Sequence, residues 1–208
     1  MIVHDSMKIK SVELHGQAFT KDQIPQPDLP QIAVFGRSNV GKSSLLAAMM
    51  RRKKLVKVSS TPGKTRAIFF YRVNDRLLLV DLPGYGFSKA PRTMAAQWQS
   101  LVEAYLDKPP GPSLAIHLVD IRHLPTRDDL TVRMILQERG IPILVVATKG
   151  DKLSRSRRLR SVKSIADHLG VPSETVIPVS VKDPSLPVEA VWEVIARIMG
   201  DGEGTIPG

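Results

Sequence analysis

Short apolar runs alternate along the chain with longer segments in which apolar residues recur at helical spacing. The short runs have the length of buried strands, and the longer segments have the length of helices. Strands are predicted at 8–14, 31–35, 67–73, 77–81, 113–120, 141–148 and 175–180, and helices after residue 43 and at 92–107, 126–139, 154–169 and 188–198. Strands that alternate with helices predict an α/β fold, in which a mainly parallel sheet is covered by helices on both faces.

Turn-forming residues divide the chain into one domain and two flanking segments. Residues 1–30 are predicted to be an N-terminal extension, made of a short strand and a linker with three prolines at 20–30. Residues 31–200 contain the remaining elements and form the predicted domain. Residues 201–208 are rich in glycine and are predicted to be a flexible tail.

Composition excludes several classes of protein. The 208 residues contain no cysteine, which excludes disulfide frameworks, thiolate zinc sites and thiol catalysis and is typical of the reducing cytoplasm. The hydrophobic share of 42% is that of a globular protein. No apolar run reaches the length of a membrane span and the N-terminus lacks the pattern of an export signal, so we expect a cytoplasmic protein.

The net charge of +10 is concentrated in two segments of the chain. The first basic segment (51–66) and the second basic segment (152–163) hold thirteen of the thirty lysines and arginines and no acidic residue. Such clusters are the electrostatic footprint of a surface that binds a polyanion. The alternative is that both segments are simply solvated, since few aromatic residues lie among the cations.

The segment Gly36–Ser43 matches the phosphate-binding pattern GxxxxGK[ST]. It follows a predicted strand and opens a predicted helix, which is the context that the motif requires. Its glycines allow successive backbone N–H groups to face phosphates at a helix N-terminus. Lys42 is expected to reach the β- and γ-phosphates, and the Ser43 hydroxyl is expected to bind Mg²⁺.

Two further segments are placed to sense the metal and the γ-phosphate. Asp81–Gly84, with the sequence DLPG, follows another predicted strand. The Asp81 carboxylate can hold Mg²⁺ through water, and the Gly84 amide can approach the γ-phosphate without a side chain in the way. A threonine of the first basic segment can complete the Mg²⁺ shell only when the γ-phosphate is present, which is an order–disorder switch. Thr65 is favoured for this role, and Thr61 is the alternative.

Two segments at the ends of later strands are expected to read the base. In Thr148–Asp151, with the sequence TKGD, one carboxylate can accept from both the ring N–H and the amino group of guanine. Adenine lacks that pair of donors and would leave the carboxylate unpaired. The stem of Lys149 can pack along the base, and Val179–Val181 can offer a backbone N–H to the guanine carbonyl. These segments predict guanine specificity.

With these motifs assembled, the chain resembles the EngB family, also called YihA or YsxC. These proteins are bacterial ribosome-biogenesis GTPases in the translation-factor-related class of P-loop proteins. The resemblance runs from residue 8 to residue 199. The segments that carry it are GRSNVGKSSLL, TPGKTRAIFFYRVND, VDLPGYGFSKA, VDIRHLPTRDD and GIPILVVATKGDK.

The resemblance implies a Ras-like fold with a six-stranded, mostly parallel sheet, in which the strand before the DLPG strand runs antiparallel. It implies GTP and GDP binding, GTP hydrolysis in which Lys42, Thr65 and Gly84 take part, and Mg²⁺ held by Ser43, Thr65 and Asp81. It also implies a GTP/GDP switch that binds rRNA and ribosomal proteins in precursors of the large ribosomal subunit and whose loss disturbs cell division and septation. We expect a monomer that contacts no membrane.

The residues expected to contact the nucleotide or its metal lie in five segments. They are Gly36, Arg37, Ser38, Asn39, Val40, Gly41, Lys42, Ser43, Ser44, Gly63, Lys64, Thr65, Arg66, Ala67, Asp81, Leu82, Pro83, Gly84, Thr148, Lys149, Gly150, Asp151, Val179, Ser180 and Val181.

Two positions depart from the pattern of a familiar GTPase, and a third matches a particular group of GTPases. Tyr85 stands where many GTPases have a glutamine that orients water, so we predict slow intrinsic hydrolysis that the ribosomal partner or a cation accelerates. Asn39 matches the asparagine with which related potassium-stimulated GTPases hold K⁺, although it could equally serve hydrogen bonding within the loop. Val181 replaces the alanine that is usual after the serine.

Two other functions compete with the GTP switch. One is a P-loop ATPase or small-molecule kinase, against which the TKGD segment argues. The other is a constitutive rRNA-binding module with a vestigial nucleotide site. The five histidines show no metal-ligand spacing and are expected to be structural or solvent-facing, and Trp98 and Trp192 are expected to lie in the core.

Overall fold

The computed structural model describes residues 8–26, 28–52, 67–86 and 92–200 of the chain. Seven strands and five α-helices lie in these residues. The strands are β1 (Val12–Ala18), β2 (Gln31–Gly36), β3 (Ile68–Val73), β4 (Leu77–Asp81), β5 (Leu114–Asp120), β6 (Ile143–Thr148) and β7 (Val176–Pro178). The helices are α1 (Lys42–Met49), α2 (Arg92–Leu106), α3 (Arg127–Glu138), α4 (Arg155–Leu169) and α5 (Glu189–Gly200).

All seven of these strands belong to one sheet, in the order β1-β3-β4-β2-β5-β6-β7. The five strands from β4 to β7 in this order pair in parallel. β3 runs antiparallel to β4, as expected for the strand that precedes the DLPG strand. The predicted α/β, Ras-like arrangement is therefore confirmed.

The sheet has seven strands in the described residues, so the expected number of six was wrong. The additional strand is β1, which pairs antiparallel with β3 from Val12 opposite Val73 to Ala18 opposite Ile68. β3 would otherwise present unpaired backbone groups at the sheet edge. Most side chains of β1 are exposed, so the segment lacks the apolar alternation that would have shown its length. For that reason the predicted strand, at 8–14, began and ended too early.

Alternate residues of β2 supply two apolar cores, one on each face of the sheet. Ile32 and Val34 pack with residues of α1 and α5, whereas Ala33 and Phe35 pack with residues of α2 and α3. A further apolar cluster joins β5 and β6 to α4. Alternation of this kind is the geometry of a pleated strand buried on both sides, and it confirms that helices cover both faces.

The loops that follow β2, β4, β5 and β6 emerge on the same side of the sheet, because these strands are parallel. Across the sheet, Val34 lies opposite Asp81, and Asp120 lies opposite Thr148. The phosphate-loop, DLPG and TKGD motifs are thereby brought together. In the part of the chain that the structure describes, none of the helices is both long enough and apolar enough for a membrane span.

Candidate functional site

The phosphate loop connects the end of β2 to the start of α1. Gly41 immediately precedes α1 and has a φ of +107°. Residues with a side chain rarely adopt this conformation, so a glycine is needed where the chain bends into the helix. The first N–H groups of a helix have no partner within the helix and point out of its N-terminus, which is the arrangement that binds phosphate.

The ammonium group of Lys42 pairs with the carboxylate of Asp81 at the end of β4. Both side chains are at most one-tenth exposed, so each charge has lost much of its hydration and is compensated by the opposite charge of its partner. The Asp81 carboxylate and the hydroxyl of Ser43 are hard oxygen donors. Mg²⁺ takes few protein ligands of this kind and completes its shell with phosphates and water. The donor set therefore fits Mg²⁺ bound together with a nucleotide.

No other metal site is evident in the residues that the structure describes. Among them, no group of three or more His, Cys, Asp or Glu side chains could hold an ion.

Gly84 packs directly against the phosphate loop. The Ser38 N–H donates to the Tyr85 carbonyl at 2.9 Å, and the Tyr85 N–H donates to the Gly36 carbonyl at 3.4 Å. A Cβ atom at Gly84 would lie 3.2 Å from Ser38 Oγ and 3.3 Å from Ser38 N. Any side chain there would press on the phosphate loop, so the glycine allows the DLPG backbone to lie beside it.

The side chain of Tyr85 is buried between β5 and α3. Its hydroxyl lies 2.8 Å from His117 Nε2 and 2.7 Å from Asp129 Oδ1. Burial acts to raise the pKa of Asp129, but the His117 ring, whose Nε2 lies 3.6 Å from Oδ1, and the hydrogen bonds from Thr126 and Tyr85 outweigh it and lower the pKa to about 2. Burial and the Asp129 charge raise the pKa of Tyr85 well above its usual value. The buried cluster therefore contains a carboxylate that accepts hydrogen bonds and a phenol that donates one.

The TKGD segment is tied to the phosphate loop by two side chains. The Thr148 hydroxyl lies 2.6 Å from the Val40 carbonyl oxygen. Lys149 Nζ donates to the Asn39 carbonyl at 2.7 Å and to the Asp120 carboxylate at 2.9 Å. The stem of Lys149 therefore extends toward the phosphate loop, where it can support a base.

Asp120, the last residue of β5, is a site residue that sequence reasoning missed. Besides Lys149, its carboxylate accepts from Arg122 Nε at 2.9 Å and Arg122 Nη2 at 2.7 Å. Burial acts to raise the pKa of Asp120, but the hydrogen bonds from Arg122 and Lys149 bring it well below its usual range. An acid at the carboxyl end of a central strand, like Asp81, was the signal that could have identified it.

The segment after β7 contacts Asp151, the carboxylate that is expected to read the base. The Ser180 hydroxyl donates to Asp151 Oδ1 at 2.8 Å and accepts from the Lys182 N–H at 3.0 Å. This hydrogen bond from Ser180 lowers the pKa of Asp151. The Gly150 N–H donates to the Val179 carbonyl at 3.0 Å. The two segments expected to contact the base are therefore joined.

The structure thus brings together the expected residues of four segments: Gly36–Ser44, Asp81–Gly84, Thr148–Asp151 and Val179–Val181. Ala67 is buried just before β3. Gly63, Lys64, Thr65 and Arg66, the alternative Thr61, the residues 53–66 of the first basic segment and the tail 201–208 lie outside the described residues, so their predicted roles stay predictions.

Comparisons with known proteins agree with this geometry. A family model described as 50S ribosome-binding GTPase matches residues 31–149. The probable GTP-binding protein EngB of Syntrophomonas wolfei is 46% identical over 171 residues, which are 82% of this chain and 89% of the relative. The chain belongs to the EngB family of GTP-binding proteins. A second EngB relative, from Alkaliphilus metalliredigens, is 40% identical over 198 residues, which are 95% of each chain.

A solved EngB structure has the same fold. The crystal structure of a probable GTP-binding protein EngB superposes with a TM-score of 0.68 at 26% identity, and it covers 82% of this chain and 99% of that one. Membership of the EngB family makes this protein a GTPase, a class that binds GTP and GDP and typically uses Mg²⁺. The oxygen donors of Asp81 and Ser43 agree with that metal.

Proposed function

We propose that this EngB-family protein is a GTP/GDP switch in the assembly of the large ribosomal subunit and that its loss disturbs cell division and septation. The observation that carries the proposal is the position of Asp151, which Ser180 braces on the short loop that leads into the basic helix α4. One segment thereby links a base-reading residue to a cationic surface. The family description, 50S ribosome-binding GTPase, supports the large subunit as the partner.

Asp151 selects guanine over adenine. Ser180 occupies Oδ1 as a donor and holds the carboxylate in one orientation. Asp151 then accepts from the ring N–H and the amino group of guanine, while adenine would leave a desolvated charge without donors. Lys149 contributes its aliphatic stem to the base and its ammonium group to Asn39 and Asp120.

The phosphate end of the site stabilises the charge of the triphosphate. Lys42 would exchange its contact with Asp81 for oxygens of the β- and γ-phosphates, and Asp81, Ser43 and Thr65 would hold the metal. Bound Mg²⁺ supplies further neutralisation of the charge that develops on the phosphates. The Gly84 N–H would donate to the γ-phosphate, so we expect Gly84 and Thr65 to distinguish GTP from GDP.

Intrinsic hydrolysis is proposed to be slow. The hydroxyl of Tyr85 is engaged by His117 and Asp129 in the core, so this side chain cannot orient the attacking water. The partner or a cation would then supply the missing stabilisation. Asn39, which has a φ of 64° in the phosphate loop, is the proposed K⁺ ligand.

The helix α4 is proposed to bind phosphates of rRNA. Its exposed cations are Arg155, Arg157, Arg160 and Lys163. The second basic segment contains no acidic residue that would neutralise them. Each phosphate contact releases a counterion, so binding should weaken steeply as salt rises. With this partner the protein is proposed to act in the cytoplasm as a monomer without membrane contact.

Co-sedimentation with large-subunit particles tests the proposal. Binding should be stronger with a non-hydrolysable GTP analogue than with GDP, and it should fall as salt rises from about 50 to about 200 mM. The double variant Arg157→Glu/Arg160→Glu should bind weakly. Lys10→Glu/Arg76→Glu is the matched control, because it makes the same charge change at exposed positions near the β3–β4 turn. Equal sedimentation with GDP, the analogue and no nucleotide would instead support the constitutive RNA-binding module.

A further inference from the structure

The DLPG segment is attached to the core by a buried cluster that the nucleotide-binding motifs do not explain. Tyr85 immediately follows Gly84, and its backbone is hydrogen-bonded to the phosphate loop on both sides, at Gly36 and Ser38. Its hydroxyl reaches His117 on β5 and Asp129 in the first turn of α3. Three distant segments of the chain therefore meet at one hydroxyl group, directly behind the residue that is proposed to contact the γ-phosphate.

The donor and acceptor roles in this cluster follow from Asp129. Asp129 is a carboxylate and can only accept, so the Tyr85 hydroxyl donates to it at 2.7 Å. The Tyr85 oxygen then has only acceptor capacity left for His117, so His117 Nε2 carries a hydrogen and donates to it at 2.8 Å. Both polar contacts of the buried phenol are thereby satisfied, and the ring has one orientation.

Asp129 is itself fixed by the start of α3. Its second oxygen, Oδ2, accepts from the N–H and the hydroxyl of Thr126 at 2.7 Å each. The carboxylate therefore cannot follow Tyr85 if the DLPG segment moves. Loss of the phenol hydroxyl would leave one oxygen of a buried charge without its donor.

Trp98 of α2 braces the DLPG segment from another direction. Its indole Nε1 donates to the Pro83 carbonyl at 2.6 Å, and its ring packs edge-on against Tyr85 with 5.9 Å between centroids. Pro83 and Tyr85 flank Gly84, so the residues on both sides of the glycine are fixed. The backbone of Gly84 is thereby kept against Ser38, so close that an added Cβ atom would lie only 3.2 Å from Ser38 Oγ.

We propose that Tyr85 is a positioning residue for GTP recognition, whose buried hydroxyl, bound to His117 and Asp129, keeps the Gly84 N–H where it meets the γ-phosphate. The inference rests on the proposed function, in which Gly84 contacts that phosphate. GDP has no γ-phosphate, so the cluster should affect the affinity for GTP far more than the affinity for GDP. Tyr85 then serves the discrimination between the two nucleotides, although it cannot orient water.

The test is Tyr85→Phe, which removes one oxygen atom and keeps the ring. Dissociation constants for GDP and for a non-hydrolysable GTP analogue are measured by isothermal titration calorimetry with Mg²⁺. The analogue should bind about tenfold more weakly than it does to the wild type, the effect of losing one charge-assisted hydrogen bond, and GDP binding should change less than about twofold.

Tyr105→Phe is the matched control. The Tyr105 hydroxyl is buried on α2 and has no hydrogen-bond partner among the described residues. Its removal makes the same chemical change without the loss of a hydrogen bond, so both affinities should stay those of the wild type. Trp98→Phe removes the donor to Pro83 and leaves the hydrogen bonds of the Tyr85 hydroxyl in place. It should weaken binding of the GTP analogue more than binding of GDP, as Tyr85→Phe does.

The outcomes separate the inference from the function on which it rests. Equal losses for both nucleotides in Tyr85→Phe, or no loss for either, would overturn the positioning role while leaving the GTP switch intact. A wild-type protein that binds neither nucleotide would instead refute the proposed function. If thermal melting shows that Tyr85→Phe is unfolded, the ratio of the two affinities in Trp98→Phe decides, and an unchanged ratio counts against the inference.

Discussion

Replacement of Asp151 by asparagine should change the preferred base from guanine to xanthine. Ser180 Oγ donates to Asp151 Oδ1 at 2.8 Å, and an asparagine oxygen can accept the same hydrogen bond. That bond orients the new amide, with its oxygen toward Ser180 and its NH₂ group at the place of Oδ2. The NH₂ group then faces the amino group of guanine, whereas xanthine presents a carbonyl oxygen at that position, and the amide oxygen can still accept from the ring N–H of either base.

The expected size of the change follows from guanine's two hydrogen bonds to a charged acceptor, of which one is lost and the other becomes a bond to a neutral amide oxygen. Each contributes about 1.5–3 kcal/mol, so their sum is about 3–6 kcal/mol, or roughly two to four orders of magnitude in the dissociation constant. The Asp151 side chain is 19% exposed, and water competes for part of its hydrogen bonding. We therefore expect the lower half of this range for GDP.

Titration with fluorescent GDP and XDP measures both affinities. Asp151→Asn should lose affinity for GDP and gain affinity for XDP. Ser180→Ala, which removes only the hydrogen bond to Asp151, should lower the affinity for GDP without raising the affinity for XDP. Asp183→Asn is the matched control, since it makes the same replacement at a nearby carboxylate that bonds to Ser185. If Asp151→Asn retained its GDP affinity, or lost it without preferring XDP, the assignment of Asp151 to the base would be wrong.

Two further predictions concern carboxylates behind the site. Asp120→Asn removes the charge that orients Lys149, so GDP and GTP should both bind roughly five- to thirtyfold more weakly. In a Lys149→Ala background the same replacement should cause no additional loss of affinity. Additive losses in a double-mutant cycle measured by calorimetry would contradict this prediction. The pKa of Asp129 is lowered from 3.8 to about 2 on folding, so its ionised form stabilises the folded protein above pH 4 by about 2 kcal/mol. This contribution is lost as the pH falls through about 2. The unfolding free energies of the wild type and of Asp129→Asn should therefore converge in acid. A difference between them that stays constant with pH would refute the prediction.

The parts of the site that could be predicted from sequence are those in which one segment contains both the signal and its context. Gly36–Ser43 lies between an apolar strand and a helix, and the TKGD segment ends another apolar strand, so local pattern and chemistry agree. The parallel sheet then brings such loops to one side without further information. Asp151 and Ser180 each follow a strand of this sheet, and the structure has them within hydrogen-bond distance.

The contacts that could not be predicted join residues that are far apart in sequence and have no shared spacing. Tyr85, His117 and Asp129 lie in a loop, a strand and a helix, and each alone has an ordinary structural explanation. Asp120 resembles any acid at the end of a strand until Lys149 and Arg122 are seen to converge on it. β1 was placed too early because its pairing with β3 depends on backbone groups rather than on apolar side chains.

The positions of the two tryptophans make one of them a built-in optical probe. Trp192 is buried on the face of α1 and α5, where its indole donates to the Met49 carbonyl at 3.0 Å. Trp98 bonds to Pro83, one residue from Gly84. A Trp192→Phe protein would keep a single tryptophan, beside the DLPG segment. Its emission could then follow nucleotide exchange in stopped-flow experiments without any attached dye.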